Sequence, residues 1–166
     1  MTDENVTPAP ADKPAKWDPA SDPDGYTWED VSPKDFLLDV VLDFGIGDRE
    51  EPGGSFSLTI TIGGQVVSGM AISRSEWMDA VASQYEGAGG TEYLRQVFDT
   101  MNERTVKEMD RRRAADLPRR ARAFVHMRDV RIGNGDVWTQ VPYWRGALAD
   151  VSGWSLGSWD RSSLDE

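Results

Sequence analysis

The chain has 166 residues, a formal net charge of −11, no cysteine and one histidine. That length suits a single domain able to bury its own core without a disulfide or metal staple. The cysteine and histidine counts exclude thiolate catalysis and the usual zinc sites, so no metal or cofactor is expected, and the acidic balance argues against general nucleic-acid affinity.

In residues 1–30, five prolines stand among alanines and acids with almost no aliphatic side chains, a composition that cannot offset its ordering entropy. The expectation is a disordered acidic tail, with eight acids against two lysines giving about −6. No basic stretch leading into an apolar run opens the chain, and no apolar run reaches bilayer-spanning length, so a cytoplasmic protein without membrane contact is expected. Trp17, Tyr26 and Trp28 interrupt the polar tail. They are either stickers for a partner or anchors that dock the tail's end on its own domain.

Ser32-Pro33-Lys34-Asp35 predicts a helix start, with Ser32 at the N-cap and Pro33 at the first helical position. Phe36, Leu37, Val40, Val41 and Phe44 then recur at helical spacing as the expected core face. Asp35, Asp39 and Asp43 mark a solvated face opposite, read so in preference to a metal site, and Gly45 or Gly47 is the stop. Phe56, Leu58, Ile60 and Ile62 alternate with small polar residues, predicting a strand over Ser55–Ile62 that turns at Gly63-Gly64 into a second strand, Gln65–Ile72.

Ser73-Arg74-Ser75-Glu76 fits a capping box and predicts a helix that stops at the glycines of residues 86–90. Thr91 opens a longer helix reaching about Ala115 before Pro118. From Arg104 to Arg131 ten bases face four acids, so a segment of about +6 follows the acidic tail. Phe124 to Ile132 predicts a strand, Gly133 to Asp136 a turn, and Tyr143 to Val151 a further strand before Gly153–Gly157.

Catalytic candidates are weak. His126 and Asp129 stand three apart in a predicted strand and so point to opposite faces, and there is no Gly-x-Ser-x-Gly elbow. None of the glycine clusters has the Walker lysine or dinucleotide spacing. The chain is therefore expected not to be an enzyme. Its interaction candidates are the Arg111, Arg112 and Arg113 cluster, Arg145, and the tail aromatics Trp17 and Trp28.

A helix, then a hairpin, then later strands resembles the order of the Sm-like small β-barrel. Gly64 to Met78 with Asp79 resembles the first Sm motif, and Arg145-Gly146 the arginine-glycine pair of the second. Ser75 stands where that motif has its RNA-contacting aspartate, and Asp79 where it has asparagine. A closer resemblance is to the GvpU family of gas vesicle accessory proteins, carried by LTITIGGQVVSGMAIS, FVHMRDVRI and YWRGALADVSGWSLG across roughly residues 36 to 158. It implies a cytoplasmic, non-enzymatic protein associated with gas vesicles and acting on the vesicle or its assembly. Partners so implied are gas vesicles or their proteins; the Sm resemblance implies RNA binding as the alternative.

The fold expected is α+β: an N-terminal helix plus a strongly bent antiparallel sheet or Sm-like small β-barrel with a helical arm inserted over about 73–118. Residues 31–160 form the domain and 161–166 a flexible C-terminus. The charge contrast adds an expectation of self-association, the acidic tail of one copy meeting the basic arm of another.

Overall fold

The computed structural model describes residues 16–49, 51–85, 91–134 and 137–159. Ser55–Ile62 (β1), in which apolar and small polar residues alternate, pairs with Gln65–Ile72 (β2) in an antiparallel hairpin, Ser55 opposite Ile72 and Ile62 opposite Gln65. Gly63 and Gly64 turn the chain at φ of 56° and 77°, the left-handed region that a two-residue hairpin turn requires. Leu58 and Ile60 are fully buried and Phe56 and Ile62 pack on the same core, as the alternation predicts.

Phe124–Asn134 (β3), Val137–Ala147 (β4) and Val151–Leu156 (β5) complete an antiparallel sheet of order β4-β3-β2-β1-β5. The two ends do not pair, so the sheet is open and the barrel alternative is not realised. A 3-10 turn at Leu148–Asp150 carries the chain from one edge strand to the other. Four residue steps span at most about 14 Å, whereas four strand spacings in a flat sheet amount to about 19 Å before any offset along the strands. The sheet must therefore bend.

This turn also divides the strand expected over Tyr143 to Val151. Of the turn expected at Gly133 to Asp136, Gly133 and Asn134 belong to β3 instead, and Gly135 and Asp136 fall outside the described residues. Pro142 does not delay β4, because β4 is an edge strand and Pro142 stands opposite Asp129, a bulge residue at φ 53° without a register partner.

Helix α1 (Trp28–Val31) is a single turn, capped by Thr27. The next helix, α2 (Phe36–Ile46), begins one turn later than predicted: Asp35 is its N-cap, accepting from the Leu38 amide, while Ser32 closes α1. Gly47 ends it at φ 81°. Leu38, Leu42 and Ile46 are its buried apolar residues, and they meet Leu58, Ile60, Val67, Ala71, Val125, Met127 and Val130 in the core. The predicted facing is reversed.

Helix α3 (Arg74–Gln84) starts where predicted, Ser73 Oγ accepting from the Glu76 amide, and buries Met78 and Ala82. The glycines expected to stop it fall outside the described residues. Helix α4 (Thr91–Ala114) packs on α3, and the pair forms the expected arm, with Trp77 of α3 in ring contact with His126 of β3 at 5.2 Å.

Residues 16–31 correct the expectation of disorder for that part of the tail. A 3-10 turn at Pro19–Ser21 and α1 lie along the basic end of α4, and the Ala121 amide donates to the Asp30 carbonyl at 2.7 Å. Docking on the chain's own domain, the plainer reading of its aromatics, is what the structure shows. Residues 1–15 and 160–166 fall outside the described residues, and with them the flexible C-terminus expected over 161–166.

Candidate functional site

The segment FLLDVVLDFGI is apolar on every side except at Asp39 and Asp43. Helical spacing groups Leu38, Leu42 and Ile46 on one side and Phe36, Val40 and Phe44 on another, so apolarity alone does not choose which side meets the sheet. The two aspartates choose. Arg119 donates to Asp39 Oδ2 at 2.5 Å and to Asp43 Oδ2 at 2.7 Å. Arg122 donates to Asp43 Oδ1 at 2.8 Å and to the Gly47 carbonyl at the helix end at 3.3 Å.

Asp39 and Arg122 are both buried and Asp43 is half-buried, which corrects the reading of a solvated face at these two acids, while Asp35 is exposed as expected. Burial raises the Asp39 pKa, and Arg119 only partly opposes that. Turning the helix over would leave Arg122 buried without its acids, a large penalty. Trp154 Nε1 secures the other end, donating to Asp35 Oδ2 at 2.8 Å.

The result is an apolar face held outward. Phe44 is 95% exposed, Phe36 73%, Leu37 60% and Val40 42%. Sequence reasoning assigned these four to the core; the available signal was the absence of any polar side of α2 apart from Asp39 and Asp43.

The basic arm is used differently from the expectation. Arg112 is 1% exposed. It grips Asp22 with both terminal nitrogens at 3.1 and 2.7 Å, reaches Asp24 at 2.5 Å and donates from Nε to the Pro118 carbonyl at 2.8 Å. Its guanidinium also stands 4.1 Å from the centre of the Tyr26 ring, whose hydroxyl donates to Glu108. The Arg112 fork holds the Asp22 carboxyl far below the usual carboxylate range.

Arg111 pairs with Asp24 at 2.5 Å, Arg120 with Asp30 at 3.3 Å and Arg113 with Asp48. Trp17 Nε1 donates to Asp22 Oδ2 at 2.9 Å, and its ring meets Trp28 edge-on at 4.8 Å. Arg111, Arg112, Trp17 and Trp28 thus gather where residues 16–31 dock, Arg113 turns to the loop after α2, and Arg145 stands apart on β4. For the described part of the tail, the contact expected between copies is made within one chain.

His126 is buried, and burial first, then the charges of Arg145, Arg74 and Arg122, push its pKa down to about 3. It is neutral at physiological pH. Among the described residues no group of three or more His, Asp or Glu could hold a metal ion.

Neither the curated proteins nor the solved structures contain a match to this chain. A family model described as gas vesicle protein GvpU-like matches residues 39–159, from Asp39 in α2 to the residues just past β5. The docked segment 16–31 lies outside the matched span, so the shared part is the sheet, the arm and most of α2. On that match the chain belongs to the GvpU-like family of gas vesicle proteins.

Proposed function

We propose that this protein is a gas vesicle accessory protein that works by protein–protein contact, without catalysis, and that the outer face of α2 is its contact surface. The carrying observation is the outward set Phe36, Leu37, Val40 and Phe44, fixed in place by the Asp39 and Asp43 ion pairs to Arg119 and Arg122. A helix apolar all round belongs where both sides are covered, and the described residues cover only one.

Spacing of i, i+4 and i+8 with a flanking leucine suits a helix laid into an apolar groove of a partner. Each large apolar side chain left in water forgoes about 1.5–3 kcal/mol of burial. Because the arginines hold the helix from behind, the face is presented before any partner arrives, and little ordering cost remains for binding. No helix among the described residues is long and apolar enough to cross a membrane. The proposed setting is the vesicle surface in the cytoplasm.

Vesicle flotation tests the proposal, since bound protein rises with the gas-filled particles. Wild-type protein should float with purified vesicles, and the Phe36→Glu/Phe44→Glu variant should lose at least about tenfold in affinity, as expected when interface anchors are removed. Equal flotation of both would remove α2 from the account. Failure of the wild type to float would remove the vesicle contact itself.

A further inference from the structure

We propose that the cavity between the helical arm and the β3–β4 side of the sheet binds a small oxyanion, a phosphate or carboxylate carried on an apolar body. The cavity holds about 500 Å³, within the range of ligand sites, roughly 300–1,000 Å³. It arises from register. His126 pairs with Arg145 across β3 and β4, and Phe124 pairs with Ala147, so Phe124, His126 and Arg145 share one face. Arg74 and Met78 enter from the start of α3, and Met101 from α4.

The charge around this space is unbalanced. Six arginines line it, and four are matched: Arg112 by Asp22 and Asp24, Arg119 by Asp39 and Asp43, Arg120 by Asp30, and Arg122 by Asp43. The two acids in the lining are engaged elsewhere, Asp48 by Arg113 and Glu108 by the Tyr26 hydroxyl. Arg74 and Arg145 remain.

Arg74 Nη2 donates to Asn102 Oδ1 at 3.1 Å, and its Nε is buried without an acceptor. The Arg145 guanidinium stands 3.5 Å from the centre of the Phe124 ring, and among the described residues no carboxylate pairs with either arginine. Burial first, and then the charges of Arg145, Arg74 and Arg122, keep His126 neutral, so it offers no third cation.

Two unpaired guanidinium forks converging on one cavity, with a buried donor still open, suit an oxyanion that accepts from several N–H groups at once. Met78, Met101 and Phe124 supply the surface for its apolar body. Phosphate and carboxylate share this chemistry. The inference is independent of the vesicle reading, and its test contains no vesicles, so the two stand or fall separately.

His126 is the sole histidine, so its ring signals in an NMR spectrum report on this cavity directly. Full-length protein is titrated with phenyl phosphate, with benzoate and with uncharged benzyl alcohol. The expected result is a saturable shift with at least one anion and none with the alcohol; whichever anion binds more tightly identifies the head group. Arg74→Gln/Arg145→Gln should weaken that binding by about tenfold or more. Should the double variant fail to fold, Arg145→Lys decides: it keeps the charge and loses the fork, and a severalfold weaker affinity is expected. The proposal is overturned by absence of a saturable shift up to on the order of 10 mM anion, by an equal shift with benzyl alcohol, or by unchanged affinity in the variant that folds.

Discussion

The β1–β2 hairpin and helix α2 sit on opposite sides of one core, yet their facing is set by different forces. In the hairpin β1 carries its own instruction, because Phe56, Leu58, Ile60 and Ile62 alternate with Ser57, Thr59 and Thr61 and a one-residue slip would expose the whole apolar set. Helix α2 carries no such instruction. Its inner and outer sides are both apolar, and Arg119 and Arg122, some eighty residues later, decide by capturing Asp39 and Asp43. Where a long-range charge pair does the orienting, an apolar face can be turned to solvent without loss of the fold, and that freedom is what a docking surface needs.

The largest effect should come from removing the orienting charge. Arg122→Ala leaves Asp39 and Asp43 short of a buried partner, and urea unfolding should show a loss of about 3–5 kcal/mol. A loss below about 1 kcal/mol, the range of an exposed pair, would mean that Leu38, Leu42 and Ile46 orient the helix by themselves.

Next comes the contrast between the two sides of α2. Leu42→Ala should cost about 2–5 kcal/mol through the cavity it leaves, whereas Phe44→Ala should stay within about 0.5 kcal/mol, as for an uninvolved surface side chain. Similar losses at the two positions would contradict the outward facing of Phe44.

A smaller loss than at Arg122 or Leu42 is expected in the hairpin, whose facing does not depend on its turn alone. Gly64→Ala places a side chain at φ 77° and should cost about 1–2 kcal/mol while the pairing of Ser55–Ile62 with Gln65–Ile72 survives. Backbone amide exchange would detect a change of register.

These differences explain what could be read from the chain. The hairpin bounds and the capped start of α3 were legible, because alternation, paired glycines and Ser73 act locally. The facing of α2 was not, since its cause lies in the connection before β3. The docking of residues 16–31 was legible only as one of two readings of the tail aromatics, against a composition that favours disorder; a buried Arg112 with Asp22, Asp24 and Tyr26 around it outweighs that composition. Strand β4 was read too short because Pro142 suggests a break, whereas a sheet edge opposite the Asp129 bulge tolerates it. At the level of sites, the basic cluster and an acidic partner for it were visible but the individual pairs were not, and the outer face of α2 was mistaken for core.

The central claim is the outward facing of the Phe36, Leu37, Val40 and Phe44 set, and the absence of cysteine from the chain makes it directly measurable. Single substitutions Phe36→Cys, Val40→Cys and Phe44→Cys are compared with Leu38→Cys, Leu42→Cys and Ile46→Cys for their rates of thiol labelling under native conditions. The account predicts rapid labelling at 36, 40 and 44, and labelling slower by about tenfold or more at 38, 42 and 46, where the helix must first open. Equal rates at all six positions, or faster labelling at 38, 42 and 46, would contradict it.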